Sequence, residues 1–234
     1  MDTIWNGLVQ AGGLLLRGDP LVWNVVLLSL LVSGAATLVS VLIGVPVGLG
    51  LALIRFPGRT GVISVVNSGM GLPPVVVGLV LSLLLWRTGP LGGLHLLYTP
   101  AAMVLAQVVL ALPLVAALTM TAVQQLDPHL GLQIQALGAN RRQLAGLLLR
   151  EVRLPLLGAV MAGFGAVISE VGASLMVGGN IQGETRVLTT ATVLETGKGD
   201  FDVAIALSAI LLALTFAVAA GLTWLQQRSG PHGD

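Results

Sequence analysis

The sequence predicts an all-α integral membrane protein with about five transmembrane helices, and three observations carry that reading. The 234 residues are 55% hydrophobic and only 9% charged, where a soluble domain carries about 25% charged residues. Four long runs hold no Asp, Glu, Lys or Arg: Pro20 to Ile54, Thr60 to Trp86, Thr88 to Leu126 and Val203 to Gln227. A fifth, Leu154 to Gly183, is broken only by Glu170. Since about 20 apolar residues cross a bilayer, the expected span cores are 22–53, 62–86, 100–124, 154–178 and 203–227. The short alternating segments of an outer-membrane barrel are absent from the sequence.

Each element has its own signature. The first 18 residues mix Trp5, Leu8 and Leu14 to Leu16 with Asn6, Gln10 and Arg17. They read as an N-terminal interfacial helix and lack the basic start and cleavage site of a signal peptide. The first span carries Ser33, Thr37, Ser40, Gly44 and Gly48 on one helical stripe. Such a stripe either allows close helix packing in a bilayer or lines a polar path through Ser33 and Thr37. Pro46 removes a backbone donor inside this span.

The second span contains Gly71-Leu72-Pro73-Pro74, followed by Gly78. Adjacent prolines break the main-chain ladder, which in lipid is tolerated where protein or a wet cavity satisfies the freed carbonyls. The break is either a structural kink or a neighbour of a transport path. Gln107 and Pro113 in the third span read as structural.

Asp127 and Pro128 then open an amphipathic stretch to about Arg150, where Gly138 and Ala139 suggest two short helices joined by a bend. The fourth span holds Glu170, the one charge inside a span. A carboxylate there marks a function or a buried partner. With no cation in any span, its partner is backbone, water, a loop residue or another subunit. Gly178 and Gly179 end this helix. Asn180 and a threonine-rich segment with Thr189, Thr190, Thr192 and Thr196 follow, either as an external loop or as another short helix.

The chain therefore reads as one transmembrane domain over 1–230 with a tail at 231–234. Its polar loops fall at about 125–153 and 179–201. Of 11 basic residues, seven (Arg55, Arg59, Arg141, Arg142, Arg150, Arg153 and Arg228) collect on one side. By the positive-inside rule that side is cytoplasmic, with the N-terminus outside and the C-terminus in the cytoplasm. Cysteine is absent, which excludes a disulfide framework, a thiolate metal site and a thiol nucleophile. A membrane-embedded enzyme has little support, because His95, His129 and His232 lie outside the span cores. No metal site and no nucleic-acid surface is expected.

The 126–155 region resembles the coupling loop of type I ABC importer permeases. Gly138 matches the family glycine, Leu137 and Ala139 its neighbours, and Val152, Leu154 and Pro155 close the motif about one turn late. Leu132-Gln133-Ile134 stands where the family has Glu-Ala-Ala. A narrower resemblance, to tungstate-transporter permeases, runs through Ile168-Ser169-Glu170-Val171-Gly172-Ala173 and Met176-Val177-Gly178-Gly179-Asn180-Ile181. It continues through Thr185-Arg186-Val187-Leu188-Thr189-Thr190 and includes Gly71 to Gly78. Molybdate permeases are similar over the Gly-Gly-Asn stretch.

These resemblances imply a type I ABC importer transmembrane fold in the inner membrane, among membrane lipid. The implied partners are a second copy of the chain, a cytoplasmic ATPase dimer and an external substrate-binding protein. The chain has no phosphate-binding loop, so ATP and Mg belong to the ATPase and this subunit is not an enzyme. The expected activity is import of tungstate by alternating access, with molybdate or another oxyanion such as sulfate or phosphate as the alternative. The expected pathway or gate residues are Ser33, Thr37, Glu170, Ser174 and Asn180. Glu170 is a gate, a dimer contact or a structural group. The expected contacts to the ATPase are Leu137, Gly138, Ala139, Asn140 and Arg141. A proton-coupled carrier using Glu170 is the rival reading, and it leaves the 125–153 loop unexplained.

Overall fold

The computed structural model describes Gly13 and residues 20–228, and every regular element among them is helical. The expected N-terminal interfacial helix and the 231–234 tail lie outside the described residues. Ten α-helices follow one another: α1 (Pro20–Leu53), α2 (Arg59–Gly69), α3 (Pro74–Leu85), α4 (Pro100–Gln124), α5 (Pro128–Ala136), α6 (Arg141–Glu151), α7 (Arg153–Ile168), α8 (Gly172–Gly178), α9 (Leu188–Lys198) and α10 (Phe201–Arg228). Three of them, α1, α4 and α10, are each long and apolar enough to cross a membrane alone.

The pairing of α1 with α4 sets the frame. A Cβ on Gly44 would meet Val115 at 3.1 Å, and one on Gly48 would meet the Ala116 carbonyl at 2.3 Å and Thr119 at 2.8 Å. Contact positions advance together along both helices, so they run parallel. Gly44 and Gly48 of the α1 stripe form the seam, and Ser33, Thr37 and Ser40 along the same stripe are also buried. Only a hydrogen at these glycines allows the backbones to approach so closely.

Parallel α1 and α4 require the chain to recross between them, and α2 with α3 does so. The break expected at Gly71-Leu72-Pro73-Pro74 divides this crossing into two helices. Pro73 and Pro74 withdraw two backbone donors, and the halves turn by 103°. Two contacts hold the turn. Gly69 lies under Pro113, where a Cβ would come within 2.7 Å, and Gly78 lies against Ala173 and Met176.

The second return crossing is also broken. Helix α7 stops at Ile168, and α8 resumes at Gly172 after a gap at Ser169–Val171. At the start of α7, Val152 packs with Leu49, Ala122 and Val123. Beyond the gap, Ala173 and Val177 pack with Val32, Met103 and Val77. Helix α10 then begins beside Val26 and Leu188. It ends where Gln226 Nε2 donates to the Leu154 carbonyl at 3.3 Å. By length and composition the described residues hold three helices able to cross a membrane alone and up to five crossings when each bent pair is taken as one; the α5–α6 segment lies on the same face as the ends of α1, α4 and α10.

Candidate functional site

Two groups of residues carry the functional interest, one in the protein interior at the gap between α7 and α8 and one on the face where α1, α4 and α10 end.

In the interior, Glu170 lies in the gap between α7 and α8 and is 7% exposed. Its carboxylate accepts from the Ala173 amide at 2.7 Å, the Ser174 amide at 2.9 Å and the Ser174 hydroxyl at 2.8 Å. These amides are donors that the first turn of α8 would otherwise leave unpaired. The side chain is therefore the N-terminal cap of α8, and α8's own backbone supplies the partner that the sequence left open. Gln107, 2% exposed on α4, donates to the Ser174 oxygen at 3.4 Å, while its own Oε1 has no partner among the described residues. The Thr189 hydroxyl donates to the Glu170 carbonyl at 3.0 Å. The gap between α7 and α8 is thus tied to α4 and α9.

The other expected pathway residues are spread apart. The Thr37 hydroxyl donates to the Ser33 carbonyl at 2.7 Å. Both residues are buried in the α1 stripe that packs on α4. Asn180, half-buried with φ 53°, sits just past the left-handed cap Gly179 and donates to the Thr190 carbonyl at 3.4 Å. The five fall into two bonded pairs, Ser33 with Thr37 on α1 and Glu170 with Ser174 at the α7–α8 gap, and Asn180 bonds to neither pair. The structure adds Gln107, Thr185, Thr189 and Thr190, all buried. The Thr185 hydroxyl donates to the Gly178 carbonyl at 2.6 Å and accepts from the Ile181 amide at 2.9 Å. The 179–201 segment accordingly folds into the protein at its centre, and α9 begins with Leu188 fully buried.

On the face where the spans end, Asp127 Oδ1 accepts from the His129 amide at 2.8 Å and starts α5 behind Pro128. The chain turns at Gly138, whose φ of 87° suits glycine. Helix α6 opens with a capping box: Asn140 Oδ1 accepts from the Gln143 amide at 2.9 Å, and Gln143 Oε1 accepts from the Asn140 amide at 2.8 Å. Leu144 and Leu148 anchor α6 to the core. Leu137, in contrast, is 89% exposed, and with Gly138, Ala139, Gln143 and Arg150 it borders a groove of about 460 Å³. Leu137 thus projects from a capped turn next to Arg141.

A parallel pair of long helices, two broken return segments and one projecting helical turn make up a multi-pass helical membrane fold. The family model described as "Binding-protein-dependent transport system inner membrane component" matches residues 44–231. The chain belongs to that family and is an inner-membrane ABC transporter permease, a transport subunit and not an enzyme. It is 43% identical over 216 residues to a probable anion ABC transporter permease of Haloferax volcanii, covering 90% of this chain and 93% of that one. It is 39% identical over 231 residues to the tungstate uptake system permease TupB of Peptoclostridium acidaminophilum, covering 97% and 100%. Identity to the molybdenum transport permease ModB of Escherichia coli is 32%, covering 88% and 94%. Among solved structures, an inward-facing MetNI methionine ABC transporter matches with a TM-score of 0.74 at 19% identity, covering 91% of this chain and 99% of that one. That last likeness is one of fold.

Proposed function

We propose that this chain is the membrane-spanning subunit of an ATP-driven tungstate importer. Two copies would enclose the pathway, a cytoplasmic ATPase dimer would drive it, and an external binding protein would deliver the oxyanion. Full-length similarity to TupB is the observation that carries the substrate. Molybdate is the second reading, favoured by the likeness to ModB. The N-terminus lies outside and the C-terminus in the cytoplasm, supported by the clustering of Arg55, Arg59, Arg141, Arg142, Arg150, Arg153 and Arg228.

The working cycle is alternating access. ATP binding closes the motor subunits. Leu137, Gly138, Ala139, Asn140 and Arg141 transmit that motion through α6 into α7, which follows it after one residue at a 72° bend. The groove beside Leu137 receives the ATPase surface. Glu170 and Ser174 act at the α7–α8 gap as a structural joint, holding α8 against α3 and α4. Ser33 and Thr37 keep α1 seated on α4, and Asn180 fixes the start of the segment leading to α9.

The test is co-purification of the tagged chain with its ATPase, then uptake of tungstate, molybdate and sulfate into vesicles with the binding protein present. ATP-dependent tungstate uptake is the expected result. Uptake of another oxyanion alone would overturn the substrate. No ATPase in the complex, with uptake following a proton gradient, would overturn the importer.

A further inference from the structure

Helix α2 and the break after it expose polar groups at a depth where lipid cannot serve them. Gly69 packs on Pro113, the fourteenth residue of the 25-residue α4, so the break lies level with the middle of a complete span. Met70 to Val76 are all exposed. The Met70, Gly71 and Leu72 amides bond back to Asn67, Ser68 and Gly69. The carbonyl oxygens of Met70, Gly71 and Leu72 accept no hydrogen bond among the described residues. Ser64, Asn67 and Ser68 are exposed on the turns leading to the break, and their side chains likewise have no partner among the described residues. Positions 64, 67 and 68 share one helical face. Irregular backbone at membrane depth persists only against protein or water, because an unpaired group in hydrocarbon costs several kcal/mol.

We infer that the Ser64, Asn67, Ser68 face of α2, together with the Met70–Leu72 carbonyls, is a water-filled wall of the translocation pathway. This inference rests on the importer reading above and assigns that pathway to residues outside the α1 stripe. The wall offers two hydroxyls and a carboxamide as donors and no fixed cation. A hydrated oxyanion can exchange water for these groups without falling into a deep well, so it passes and is released. The carbonyls keep the break wet in both conformations of the cycle.

The native absence of cysteine makes the test direct. Asn67→Cys and Ser68→Cys are prepared singly in the assembled transporter. Leu38→Cys on α1 and Phe216→Cys on α10, whose parent side chains are exposed on helices without a break, serve as lipid-facing controls. Each is reconstituted in vesicles and treated from both sides with an impermeant sulfonate methanethiosulfonate, and modification is read on this chain by mass. Because only a hydrated thiol ionises and reacts, positions 67 and 68 should react at least about tenfold faster than the controls. Their modification should abolish tungstate uptake while the modified controls retain it. The cysteine-free chain is assayed for uptake in parallel. If it transports and positions 67 and 68 stay as inert as Leu38→Cys, the wall assignment is wrong and the importer stands. If it does not transport, the importer reading fails, and the labelling still reports whether α2 faces water. Equal reaction at all four positions would also overturn the assignment.

Discussion

Replacing Glu170 with alanine removes the one acceptor that the Ala173 and Ser174 amides of α8 have among the described residues. The carboxylate makes three bonds of 2.7 to 2.9 Å. In Glu170→Ala the Ser174 hydroxyl can turn to another acceptor, but the amides of Ala173 and Ser174 cannot move. Each buried unpaired amide costs about 1–3 kcal/mol, and relief from burying a charge offsets part of the total. A net loss of about 2–4 kcal/mol is expected, which in a chain of this length lowers the melting midpoint by roughly 5–15 °C. The assay is thermal unfolding of the purified permease–ATPase complex in detergent. Glu170→Gln, which keeps one acceptor and the side chain's size, should lose about half as much and retain measurable uptake. A Glu170→Gln complex that melts with the wild type yet transports nothing would refute the capping argument and restore a protonation role.

Other expectations follow from the same geometry. Gly48→Ala forces a methyl onto the Ala116 carbonyl and should cost about 1–3 kcal/mol by overpacking, whereas Gly50→Ala, with nothing within 4 Å, should be neutral or better. Both are read by thermal unfolding. Leu137→Asp changes an exposed side chain, so the melting midpoint should hold while ATPase co-purification falls at least about tenfold. Gly138→Ala meets no atom within 4 Å but strains a backbone at φ 87° by about 1–2 kcal/mol. Uptake per ATP hydrolysed should fall in that variant more than the ATPase rate does.

The order of crossings was legible because charge-free runs of spanning length are a one-dimensional signal. Pro73-Pro74 likewise announced a break, since two missing donors are a local property. The 103° turn was not legible, because it depends on Gly69 meeting Pro113 and Gly78 meeting Ala173, pairs distant in sequence. The gap at Ser169–Val171 has no proline to mark it, and a lone acid in an apolar run reads as a charge in search of a partner. That the partner was α8's own backbone follows from the three-dimensional path. The α1 stripe is ambiguous in sequence for a related reason: Ser33 and Thr37 suit a wet wall and a tight seam equally, and their burial belongs to the folded chain. Ser64, Asn67 and Ser68 carry no signal in the sequence, because isolated polar residues in an apolar run look incidental until their neighbours are known. The 137–141 turn was more readable, as Gly138 and the Asn140–Gln143 pair are local conformational signals.

The cap on α8 also bears on selectivity. A helix start inside a membrane is a natural trap for anions, and an unoccupied one beside a conduit would retain whatever oxyanion reached it. Here Glu170 occupies that position as a permanently tethered occupant, three residues from the nearest amide it binds. A ligand on so short a tether competes at an effective concentration of about millimolar or higher, so an anion present at micromolar levels cannot displace it. By carrying its own stopper, the first turn of α8 keeps the Ala173 and Ser174 amides from serving as an anion site.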